Sequence, residues 1–99
     1  MNIFIEGLIK EIISGINLRF QTSEYLLEKE NEKMLEDILY KELIKPSSEQ
    51  SRTPTQIVNE FLQEEFNQSI AFTPAHFGEK AHQLIMEWGM QKAKDISEQ

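Results

Sequence analysis

Ile5, Leu8, Ile9, Ile12, Ile13 and Ile16 recur at three- and four-residue steps, with Glu6, Lys10, Glu11, Ser14 and Asn17 between them. Such spacing gathers apolar side chains into one stripe and predicts a helix from about Asn2 to about Asn17. Isoleucine is stiff at χ1 and a modest helix former, so packing must hold this helix. Gly15, near its end, is expected to help terminate it. Leu18 and Phe20 read as two apolar anchors of a connector.

Thr22 or Ser23 offers a cap for a second helix through Tyr25, Leu26 and Leu27. A polar stretch follows, and the apolar pattern resumes at Met34, Leu35, Ile38, Leu39, Leu43 and Ile44. The pattern fits one long helix to about Lys45, or two with a break near Asn31. Glu42 falls inside the apolar sector, which predicts a drifting stripe or a frayed end. Pro46 ends the helix. Residues 46–52, PSSEQSR, read as a polar, mobile linker between helical halves 1–45 and 53–99 of a single domain spanning 1–99.

Two Thr-Pro pairs open the last two amphipathic runs. Thr53 at the N-cap, Pro54 at N1 and Gln56 at N3 predict a helix start. Ile57, Val58, Phe61, Leu62 and Phe66 form its stripe, Glu60 and Glu64 lie outside it, and Asn67-Gln68-Ser69 closes it. Ile70 and Phe72 are expected to hold the following loop on the core. Thr73-Pro74 predicts a final helix running from Pro74, with Phe72 stapled onto Phe77. Phe77, Ala81, Leu84, Ile85 and Trp88 make one face. At about 100° per residue, Met86, Met90 and Ala93 fall on roughly the opposite side. Either this helix is sandwiched within the fold or its second seam meets another molecule. Gly78 and Gly89 are expected inside the helix, where each costs about 1 kcal/mol relative to alanine.

Length and composition narrow the class. Ninety-nine residues make one domain, and four glycines with three prolines among abundant Glu, Lys, Leu and Ile favour helix. The expected fold is all-α, a small antiparallel bundle of four to five helices. The net charge is −7, spread along the chain. Residues 1–49 carry 6 basic against 10 acidic side chains, and residues 50–99 carry 4 against 7. No half is basic enough to track phosphates, so nucleic acid is not the expected partner. The chain has no cysteine, hence no disulfide and no thiolate nucleophile or zinc ligand. Glu6, Lys10 and Glu11 interrupt the apolar N-terminal run, so neither a signal sequence nor a membrane span is expected there. The first helix also lacks the basic polar face of an interfacial helix.

Candidate chemistry is sparse. Glu79 and His82 form one E-x-x-H pair, and Glu60 and Glu64 are the extra carboxylates available. Di-iron bundles use two such pairs, so neither a metal nor a cofactor is expected. No G-x-S-x-G, P-loop or G-x-G-x-x-G is present, and no serine has an evident base, so no catalytic residue is assigned. A helix-turn-helix built from the last two helices would expose Lys80, Gln83, Gln91 and Lys94 among acids, after a connector longer than the usual turn. The reading that remains is a non-catalytic, cytoplasmic regulatory or adaptor protein. It would work by protein–protein contact with a partner of unknown identity and self-associate through Met86, Met90 and Ala93. The alternatives are a helix-turn-helix transcriptional regulator and a helical metal-binding protein.

Overall fold

A computed structural model describes residues 2–19, 29–67 and 71–97. The protein is all-α, with four α-helices and two 3₁₀ turns among these residues. Helix α1 spans Ile3–Arg19, α2 Lys29–Leu43, α3 Pro54–Phe66 and α4 Glu79–Ser97, with 3₁₀ turns at Ser47–Glu49 and Pro74–Phe77. One apolar cluster draws on all four helices, with Leu8, Ile12, Ile16, Leu35, Leu39, Ile57, Val58 and Leu62 almost fully buried. Helix α1 lies against α2, α4 and the Pro74–Phe77 turn, and α3 packs on α2.

The α1 stripe is buried at every predicted position. Its ends differ from expectation. The helix continues to Arg19, so Leu18 is no anchor: it is helical and 66 % exposed. Phe20, the proposed helix at Tyr25–Leu27 and the loop residue Ile70 lie outside the described residues, as does the side chain of Phe66. Gly15 does not stop α1. It sits inside the helix, where the Pro74–Phe77 backbone comes so close that a Cβ would land on the Phe77 carbonyl. A missing side chain here permits contact between two backbones.

Helix α2 runs unbroken through Asn31. Leu35, Leu39 and Leu43 point into the core, whereas Met34 and Ile44 remain substantially exposed. Glu42, only 5 % exposed, reflects neither drift nor fraying. Its carboxylate accepts from Lys45 Nζ at 2.9 Å and from the Ser51 backbone N–H at 3.2 Å, with Arg52 at 4.0 Å. A buried charge persists when it is paired and hydrogen-bonded. These bonds hold the presumed linker in place. Gln50 Nε2 donates to the carbonyls of Leu43 and Lys45, and Lys92 Nζ reaches the Gln50 carbonyl at 3.5 Å. Ser47 Oγ donates to Asp95 at 3.3 Å. Residues 46–52 are thus a tied corner against α4.

The same bonds set a pH dependence. The hydrogen bond from Lys45, then that from the Ser51 N–H, together with the nearby positive charges, outweighs burial and holds the Glu42 carboxyl below its usual 4.5. A carboxylate with a lowered folded-state pKa adds stability above its unfolded pKa, and loses it as pH falls through the folded value. Glu42→Gln is therefore expected to lower the melting temperature at pH 7. The gap to the native chain should narrow as pH drops below about 4.5. A gap that stays constant from pH 7 to pH 3 in thermal melts would show that the Glu42 charge contributes nothing.

Helix α3 begins as predicted. Gln56 N–H donates to Thr53 Oγ1 at 3.2 Å and Thr53 N–H donates to Gln56 Oε1 at 2.8 Å. Asn67, left-handed at φ 52°, caps its end. The last helix does not begin at Pro74. Pro74–Phe77 forms a 3₁₀ turn, Gly78 takes φ 100°, and α4 starts at Glu79. Gly78 is therefore the link between the turn and α4, in a conformation that glycine adopts without strain. Thr73 N–H donates to His76 Nδ1 at 3.0 Å, and the Phe72 and Phe77 rings stack at 5.1 Å, as a staple would. Only Gly89 is a helix-interior glycine of α4, and a Cβ there would meet nothing within 4 Å.

Candidate interaction surface

Helix α4 has two apolar faces with different fates. Phe77, in the turn before it, and Ala81, Ile85 and Trp88 are buried, and Leu84 is half-buried against the cluster. Lys92 covers the Trp88 ring, its Nζ 5.2 Å from the ring centre. The opposite face is open. Met86 is 55 % exposed, Met90 is 70 % exposed, and Ala93 is exposed beside them. Among the described residues no element covers this seam, so none sandwiches it.

Consecutive turns of one helix place Met86, Met90 and Ala93 in a row. The first turn of α1 adds a fourth apolar group. Phe4 joins Met90 in an open cleft completed by Asn2, Glu87, Gln91 and Lys94. Phe4 lies one residue before the Ile5–Ile16 stripe and outside its spacing. Three successive apolar residues, Ile3-Phe4-Ile5, cannot all face one side of a helix, which is the mark in the sequence of an outward apolar residue here. Ile3 and Phe4 are the two that remain exposed.

Little else converges. Among the described residues no three His, Asp or Glu side chains are placed to hold a metal ion. Glu79 and His82 stand one turn apart on α4, whereas Glu60 pairs with Arg52. A cleft between α1 and α2 is lined by Glu6, Lys10, Glu36, Asp37 and Tyr40, with no histidine or nucleophile oriented by a base. Between α3 and α4 the chain passes through Asn67, a 3₁₀ turn and Gly78, and α4 packs on α1 and that turn. The two helices of the helix-turn-helix alternative are therefore not joined by a short turn. Lys80, one of its candidate contacts, lies 3.4 Å from Glu11. No helix among the described residues is long and apolar enough to cross a membrane.

The face is electrically mixed. Glu87 and Lys94 flank Met90 and line the cleft with it, and neither takes part in an ion pair among the described residues. Compared with known proteins, the chain matches no family, no curated protein and no solved structure.

Proposed function

We propose that this is a non-catalytic regulatory or adaptor protein that acts by protein–protein contact and self-associates through the outward face of α4. The observation that carries the reading is the exposed row of Met86, Met90 and Ala93, extended by Phe4. Large apolar side chains aligned on one face mark contact sites, whereas single exposed ones need no explanation. Methionine suits such a face because its flexible, polarisable side chain adapts to the surface opposite. The cysteine-free, acidic composition supports a cytoplasmic setting as part of the same proposal.

Replacing both Met86 and Met90 with glutamate tests it. The native chain is expected to be dimeric by native mass and light scattering, and the double variant monomeric. Its folded stability should stay within about 0.5 kcal/mol of native, as for ordinary surface changes. A native chain that stays monomeric, or a variant that still dimerises, would overturn the reading.

A further inference from the structure

The outward residues of α4 repeat at steps of three and four, as its buried Ala81, Ile85 and Trp88 do on the other side. Gln83, Met86, Met90, Ala93 and Ser97 alternate steps of three and four and are all exposed. Such spacing is that of a helix face able to meet one partner helix, with Met90 and Ala93 at its centre. Glu87 and Lys94 stand one heptad apart along one flank of that seam, and Gly89 and Ile96 along the other.

We propose that the occupant of this seam is α4 of a second copy, packed antiparallel about a twofold axis near Gln91. Two complementarities on one helix select this arrangement. Antiparallel pairing brings Met90 over the second copy's Ala93, a large side chain over a small one, and Gly89 against its Ile96. It also sets Glu87 opposite the second copy's Lys94, and by symmetry Lys94 opposite its Glu87. Both charges lie beside Met90, and neither has an ion partner within its own chain among the described residues. A parallel pairing would stack Ala93 on Ala93 and leave Lys94 facing Gly89. Phe4, in the cleft with Glu87, Met90 and Lys94, closes the charged flank against water. This inference rests on the proposed self-association and specifies its geometry.

Charge reversal and its compensation test the arrangement. Affinity is read by sedimentation at about 0.15 M salt, where repulsion between two chains of net charge −7 is screened beyond about 8 Å. Glu87→Lys alone, or Lys94→Glu alone, turns two attractive pairs into two repulsive ones and should weaken the dimer about tenfold. The double exchange, Glu87→Lys with Lys94→Glu, restores both pairs and should return affinity to within about threefold of native. A double exchange no tighter than the single changes overturns the antiparallel pairing, while loss of the dimer on Met86→Glu with Met90→Glu would still uphold the face. A native chain that is monomeric at every concentration gives the seam to a different partner and overturns both.

Discussion

Alanine at position 15 is expected to lower the melting temperature by roughly 10 °C, a loss of about 2 kcal/mol. Gly15 lies inside α1, where alanine would ordinarily stabilise a helix by about 1 kcal/mol. The added Cβ would instead land on the Phe77 carbonyl oxygen, within 2.8 Å of the Phe77 carbonyl carbon and Cα. Those are backbone atoms and cannot rotate aside, so the Pro74–Phe77 turn must retreat from α1. Phe72 and Phe77 would move with it, and both are buried and stacked on each other. The cost of overpacking, about 3 kcal/mol at the upper end of its usual range, exceeds the helical gain. Gly89→Ala, compared in the Met86→Glu/Met90→Glu background where the proposed pairing through Gly89 is absent, is the control. Nothing lies within 4 Å of its Cβ, so the same change should raise stability by about 0.5–1 kcal/mol. Thermal melts of the two variants give opposite signs; a Gly15→Ala chain as stable as native would show that the close approach does not exist.

Asn59→Ala is expected to cost about 2–3 kcal/mol. The Asn59 side chain grips the loop before the 3₁₀ turn with both ends of its amide. Phe72 N–H donates to Oδ1 at 2.8 Å, and Nδ2 donates to the Phe72 carbonyl at 3.1 Å. One side chain thus treats Phe72 as a neighbouring strand would, and fixes the ring that stacks on Phe77. Each bond lost contributes about 1 kcal/mol, with more where a polar group is left poorly solvated. Denaturant unfolding measures the total. Hydrogen exchange at the Phe72 amide should accelerate beyond the change in global stability, because the loop opens first. An unchanged Phe72 exchange rate would show that the clamp does not hold the loop.

Neither Gly15 nor Asn59 could be assigned its role from the chain alone. Gly15 reads as a helix terminator because the residue it must accommodate is 62 positions away. Asn59 sits on the polar side of a regular stripe, where an amide usually faces water. Glu42 breaks its stripe in the sequence, and its partners Ser51 and Arg52 stand in a stretch that reads as linker. In each case the deciding contact comes from another element, so the terminator role expected of Gly15 and the drift or fraying expected at Glu42 do not hold. The candidate surface differs: Met86, Met90 and Ala93 are opposite the buried face by helical period alone, so their alignment is legible in the sequence, and the structure adds their exposure.

The all-α class, the α1 stripe, the Thr53 capping box and the two-sidedness of α4 are all written in the order of residues along the chain. These follow from intervals of three or four residues, which the helical repeat converts directly into a face. The start of α4 at Glu79, the tying of residues 46–52 to α2 and α4, and the meeting of Phe4 with Met90 arise only once the helices pack. Those outcomes depend on which backbones approach and which charges find partners across long separations, and no local period encodes either.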